Sequence, residues 1–241
     1  MSDIALVTGA NKGIGLETAR QLGQRGIQLL VAARDPAKSE AAAAQLRSEG
    51  LRAQGLVLDV GSDASIEAAV EEVAARHARL DILVNNAGVL LDDPDLSPSQ
   101  QSLDVWHRTY EINVFGVVAV TRAFLPLLRK APAARIVNLS SILGSLTLHA
   151  DPGSPIYNSN MPAYNSSKSA VNAWTLSLAH ELRDTPIKVN SVHPGHVKTD
   201  MGGARAPMAI VDGARTSVAM ATLAADGPSG SFTHLGKTLP W

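Results

Sequence analysis

Tyr164 and Lys168 stand four residues apart in "AYNSSK", at the head of a helix-like run, in a chain with three tyrosines. In a helix, that spacing puts both side chains on one face, one turn apart. A free phenol titrates near pH 10. An ammonium roughly 5 Å away, at an effective dielectric of about 20, favours the phenolate by about 3 kcal/mol and lowers the pKa by about two. The pair is therefore either an ordinary surface contact or an acid able to move a proton near neutrality. Tyr157 and Tyr110 have no lysine four residues downstream and read as packing or substrate-wall residues.

A second cluster follows the first apolar run. "TGANKGIG" holds Gly9, Gly13 and Gly15, with Asn11, Lys12 and Ile14 between them. Glycines here permit a tight turn and close backbone approach, and a helix opening behind them offers free amides to a pyrophosphate. The spacing departs from the general dinucleotide fingerprint, and a plain turn before a helix is the competing reading. The acidic residue that would hold an adenosine ribose is replaced by Ala33, followed by Arg34. Arg34 and Lys12 are each readable as solvated surface charge. Together they suit a 2'-phosphate and favour NADP(H) over NAD.

Short aliphatic runs must position these groups. They start at Ile4, Gln28, Ala53, Asp81, Arg135 and Lys188, and alternate with helix-like stretches at 14–25, 37–49, 65–79, 103–130 and 162–183. Asp63 and Ser102 suit N-caps, and Gly26 and Gly50 suit helix ends. The alternation is the βαβ signature, and strands apolar throughout imply helices on both faces of a parallel sheet. No linker divides residues 1–241, which read as a single domain.

The net charge is −1 with no block of like charge, which argues against nucleic acid and membrane surfaces and for small-molecule partners. The chain has no cysteine, so disulfides, thiolate metal sites and cysteine nucleophiles are excluded and a reducing, cytoplasmic setting is expected. The run "VFGVVAV" is short for a membrane span. His193 and His196 lack further metal-ligand spacing, so no metal is expected.

Taken in order, "TGANKGIG", "NNAG" at 85–88, "IVNLSS" ending at Ser141, Tyr164 with Lys168, and "HPG" at 193–195 resemble the short-chain dehydrogenase/reductases over nearly the whole chain. "AARD", "PGHVKTDM" and the final "GKTLPW" resemble its NADPH-dependent carbonyl-reductase branch. The resemblance implies a doubly wound α/β Rossmann fold of seven parallel strands in the order 3-2-1-4-5-6-7, the last near "SGSFTH". It implies that Asp59, with Val60, lies on the adenine side and that Asn86, Ala87 and Gly88 lie beside the adenine ribose. Pro194, Gly195, Val197 and Thr199 would line the nicotinamide side.

The same resemblance makes Tyr164 the acid and places Lys168 on the nicotinamide ribose. Ser141 would hold the substrate oxygen, and Asn113 would support a water chain to the lysine. Ser140 is the rival to Ser141, and a satisfied mid-helix amide is the rival role for Asn113. The implied activity is NADPH-dependent reduction of an aldehyde or ketone, reversible to alcohol oxidation. A non-catalytic NADP-binding regulator and a cofactor-retaining isomerase or dehydratase are the alternatives. Family members often pair through two long helices, so a homodimer or homotetramer is expected alongside a monomer.

Substrate walls are expected from 144–162 and 196–210. Ser141 and Tyr164 are 23 residues apart, and the intervening segment carries three prolines and little helical periodicity. It is expected to form a lid or wall, or a subunit contact, with Leu146, Leu148, Ile156, Tyr157 or Met161 on substrate.

Overall fold

The computed structural model describes residues 2–241. Strands β1 (Ile4–Val7), β2 (Gln28–Ala33), β3 (Ala53–Val57), β4 (Ile82–Asn85), β5 (Arg135–Leu139), β6 (Lys188–Val192), β7 (Phe232–His234) and β8 (Lys237–Thr238) form one sheet in the order 3-2-1-4-5-6-7-8. The first seven are parallel. The expected seventh strand lies within the "SGSFTH" stretch, and the sheet then gains an antiparallel eighth through Leu235, at φ 46°, and Gly236, at φ 80°. Two short strands joined by a tight left-handed turn leave no hydrophobic run to read.

Alternation along each strand divides the core. Leu6, Leu30, Leu83, Ile136 and Val189 face Phe124, Leu128, Leu178 and Leu182 on one side. Ala5, Val31, Val84, Val137 and Val192 face Leu22, Leu46 and Val218 on the other. Helices α1 (Gly13–Gln24), α2 (Pro36–Ser48) and α8 (Ile210–Ala221) cover the second side, and α3 (Asp63–Arg76), α5 (Gly116–Leu128) and α7 (Pro162–Glu181) the first.

One polar row crosses the first side. Asn85, Asn138 and Ser191 share a register line on β4, β5 and β6. Asn85 Nδ2 donates to Thr121 Oγ1 and Asn138 Oδ1, each at 2.9 Å, and Asn138 Nδ2 donates to Thr175 Oγ1 at 2.9 Å. Thr175 and Ser191 hydroxyls bond at 2.8 Å. Buried amides need such partners, and this row ties α5 and α7 to fixed heights on the sheet.

Three local readings change. Ser62, rather than Asp63, caps α3, its hydroxyl accepting from Ser65 N, so Asp63 falls at the first helical position. Helix α8 has no counterpart among the expected helices, because its buried stripe is made of Gly213, Ala214, Thr216 and Ser217 as well as Val218. A Cβ on Gly213 would lie 2.6 Å from Val197 Cγ2, so small residues are what this helix needs to pack. Within 142–162, Leu146–His149 forms a one-turn helix, α6, capped by Ser145.

The expected helix from Leu103 is continuous to Leu128. Helix α4 (Leu103–Tyr110) leads through a π-helical turn at Glu111–Phe115 into α5. Its length and composition would suit a membrane span, more than the short run "VFGVVAV" implied. Half of its most apolar window is buried inside the fold, as in a core helix.

Candidate active site

The glycine-rich turn lies against the end of β4. Gly9 and Gly13 have φ of 61° and 58°. A Cβ on Gly15 would meet Asn86 Nδ2 at 2.4 Å and Gly9 O at 2.7 Å, so only glycine fits there. Asn86 Nδ2 donates to Thr8 O at 2.8 Å, and the amides of Asn86 and Ala87 donate to Thr8 Oγ1 at 3.0 Å. Helix α1 starts behind Lys12 with no side-chain cap, leaving its first amides for another acceptor.

A cleft of about 870 Å³ opens over this turn at the carboxyl ends of the strands. Gly9, Asn11, Lys12, Gly13, Ile14, Gly15, Arg34, Asp59, Val60, Asn86, Ala87, Gly88 and Thr199 all line it. Tyr164, Lys168, Pro194, Gly195 and Val197 are not among its walls. The unanticipated walls include Val89, Ile112 and Leu139, while Lys198 falls within the expected 196–210 stretch. Lys12 Nζ reaches across to Asp200 at 2.5 Å, and both side chains are largely exposed. That contact holds the Asp200 carboxyl below its usual range.

Tyr164 and Lys168 occupy successive turns of α7, with Lys168 Nζ 5.5 Å from the phenol ring centre. Both are buried. Burial pushes the Tyr164 phenol up to about 12, with a hydrogen bond to Ser141 pulling the other way. The direction is opposite to the expected lowering, because burial disfavours the charged phenolate. Burial also lowers the Lys168 ammonium to about 8, leaving it charged at neutral pH.

Lys168 Nζ donates to Leu139 O at 2.8 Å, at the end of the strand that leads to Ser141. Gly144 sits against Lys168 so closely that a Cβ would lie 2.7 Å from its carbonyl carbon. Ser141 Oγ accepts from Leu143 N at 3.2 Å. Ser140 Oγ instead donates to Lys168 O at 3.3 Å, a structural contact.

Asn113 lies in the π-helical turn, and such turns recur at functional sites. Its Oδ1 accepts from Val89 N at 2.8 Å, while Nδ2 donates to Val89 O at 2.8 Å and Ser167 Oγ at 3.0 Å. Both ends of the amide are thus taken, as in a satisfied mid-helix amide. Tyr157 is exposed and Tyr110 packs beside Trp106.

The segment between Ser141 and Tyr164 lies on the surface, with Leu146 and Tyr157 exposed and Ile156 buried. It is pinned in two places. The Trp241 carbonyl accepts from Thr147 N at 2.9 Å and Ser145 Oγ at 3.3 Å, while its ring stacks on Phe232 at 5.6 Å. Asn160 Nδ2 donates to Leu96 O at 2.8 Å. Asp92 also reaches this region, accepting from the amides of Ala163 and Tyr164. Sequence reading passes over Asp92 because "LDDPD" resembles any acidic loop. The one available signal is that Met161, which precedes Pro162, cannot cap a helix.

Comparison with known proteins completes the picture. The family model for short chain dehydrogenase matches residues 3–209. Short-chain dehydrogenase anuI of Penicillium roqueforti (strain FM164) is 39% identical over 226 residues, covering 91% of this chain and 88% of that protein. Retinol dehydrogenase 12 of Bos taurus is 37% identical over 203 residues, 82% of this chain and 62% of that protein. The solved structure of NADPH-bound carbonyl reductase from chicken fatty liver superposes with a TM-score of 0.87 at 28% identity, covering 100% of this chain and 99% of the other. Gluconate 5-dehydrogenase from Burkholderia cenocepacia J2315, in complex with NADP and tartrate, gives 0.84 at 26% identity, covering 97% and 93%.

Proposed function

The chain belongs to the short-chain dehydrogenase family, and on that premise we propose that it is an NADPH-dependent reductase of aldehydes or ketones, able to oxidise the alcohol in reverse. The observation that carries this reading is the meeting of Tyr164, Ser141 and Lys168 at the carboxyl ends of the strands that also form the glycine-lined cleft. Residues 1–241 are read as one cofactor-binding and catalytic unit. A cytoplasmic setting belongs to the same proposal, on the lack of cysteine.

The cleft fits a dinucleotide. The uncapped start of α1 and the positions where only glycine fits suit a pyrophosphate, and Arg34 with Lys12 suits a 2'-phosphate. Asp59 and Asn86–Gly88 would hold the adenosine end, and Lys168 with Thr199 the nicotinamide end. When bound, the cofactor supplies the hydride for reduction or accepts it in reverse.

The chain's own residues manage the proton. With its pKa near 12, Tyr164 stays protonated at neutral pH and can donate to the carbonyl oxygen as negative charge gathers there. Ser141 donates a hydrogen bond to the same oxygen, which orients the carbonyl and shares that charge. Lys168, still charged at neutral pH, stabilises the phenolate left behind. The buried setting excludes bulk water from the transfer.

The test is purified protein mixed with NADPH and a panel of carbonyl compounds, followed by the nicotinamide absorbance. Net oxidation of NADPH is expected with the wild type. Tyr164→Phe should retain NADPH binding and lose turnover by about 100-fold or more, the usual size of acid catalysis. Near-normal turnover in that variant would remove Tyr164 from the mechanism. NADPH binding without oxidation of any kind would favour a regulatory protein.

A further inference from the structure

Helix α7 has no cap of its own. Met161, at the N-cap position, offers no side-chain acceptor, and Pro162, at the first helical position, has no N–H. The first amides left to satisfy are those of Ala163 and Tyr164, both in buried residues. Asp92 takes both from 71 and 72 residues away in the chain, Oδ1 accepting from Ala163 N at 2.8 Å and Oδ2 from Tyr164 N at 3.0 Å. Asp92 is itself 6% exposed, so water does not substitute for either bond.

The carboxylate is held firmly. Just before it, Val89 is clamped through both N and O by Asn113. Just after it, the Asp93 amide donates to Gln101 Oε1 at 3.1 Å and the Asp93 carbonyl accepts from Gln101 Nε2 at 2.5 Å. Gln101 is buried as well. The same stretch of chain begins at Asn86–Gly88, which lines the dinucleotide cleft. A rigid path therefore joins the cleft wall to the first turn of the helix that carries the tyrosine.

The charge matters separately from the bonds. A helix start favours negative charge, and a phenolate on the first turn would draw on that field. Asp92 already occupies it. A buried carboxylate bonded to the Tyr164 amide also adds negative charge close to that residue, which disfavours a second one there. The groups facing the phenol itself are Ser141 from the end of β5, whose hydrogen bond favours phenolate, and Lys168 from the next turn of α7, with Nζ 5.5 Å from the ring centre.

We propose that Asp92 is a positioning residue for the proton transfer, fixing Tyr164 in the site through its backbone amide and keeping its phenol protonated until a carbonyl is seated. The proposal rests on the reductase reading above, in which Tyr164 is the acid.

Three tyrosines make a direct titration practicable. Ring-labelled tyrosine NMR on the wild type and Tyr164→Phe assigns the Tyr164 signal without any turnover. Asp92→Asn keeps the shape and one acceptor but removes the charge. In it, Tyr164 should titrate lower by about one pH unit or more. Turnover should fall about tenfold or more, with NADPH affinity within about twofold of wild type.

An unshifted Tyr164 titration in Asp92→Asn, whatever its turnover, would overturn the proposal. Failure of both Asp92→Asn and Asp92→Ser to fold and bind NADPH would overturn it too, by assigning Asp92 to folding alone. Normal turnover by Tyr164→Phe would instead overturn the reductase mechanism, while the titration would still decide whether Asp92 governs the phenol.

Discussion

Burial alone makes a phenol a weaker acid, and it pushes Tyr164 up to about 12 against the pull of the Ser141 hydrogen bond. In the proposed reaction its activation would arrive with the reactants: a carbonyl oxygen gathering charge, and positive charge on the oxidised cofactor in reverse. The sequence shows the Tyr164–Lys168 spacing but not the dryness around it, which is why the sign of the shift could not be read from two residues. Arg34 makes the opposite case, an exposed side chain on the cleft wall whose value depends on what binds. Arg34→Ala should weaken NADPH binding roughly tenfold, the scale of a lost charged hydrogen bond, and leave NADH nearly unchanged. Fluorescence titration of both nucleotides checks this, and equal use of NADH by the wild type would sink the 2'-phosphate assignment.

Elements built from apolar runs were legible, because β1 to β6 and helices α1, α2, α3 and α7 each bury a stripe of aliphatic side chains. Elements built from small residues or from distant partners were not. Helix α8 hides its periodicity in Gly213, Ala214 and Ser217, and the cap of α7 belongs to Asp92, far away in the chain. The π-helical turn around Asn113 reads as plain helix, since one extra residue in a turn leaves no compositional mark. The segment between Ser141 and Tyr164 shows little helical periodicity in sequence, and α6 within it escapes notice because one turn is too short to show a period. Replacing Ala150–Pro155 with a glycine linker of equal length should reorder a panel of carbonyl substrates by KM, while NADPH affinity stays within about twofold. An unchanged ranking would make this segment a subunit contact rather than a wall of the pocket.

The molecule as a whole carries a titratable liability at the end of β6. His193 is pressed against His234, ring centres 4.8 Å apart, and among the described residues its Nδ1 is buried with no partner. Burial, with the neighbouring histidine, lowers it to about 3. A folded-state pKa below the unfolded value near 6.5 means that its contribution to stability is complete above that value and is lost as pH falls toward 3. The loss approaches about 1.4 kcal/mol per pH unit in that window. The melting temperature should therefore drop between pH 7 and pH 5, and His193→Asn should flatten the drop; a wild-type melting temperature independent of pH in that range would contradict it. The docking of Trp241 on Ser145 and Thr147 bears on handling the protein. A purification tag joined at residue 241 would be built against Ser145 and Thr147, in the segment expected to wall the substrate, and kinetics measured on that fusion would then report the tag as well as the protein. A tag ahead of Ile4 enters at the amino ends of the strands, the opposite edge of the sheet from the cleft, and is the better choice for comparing substrates.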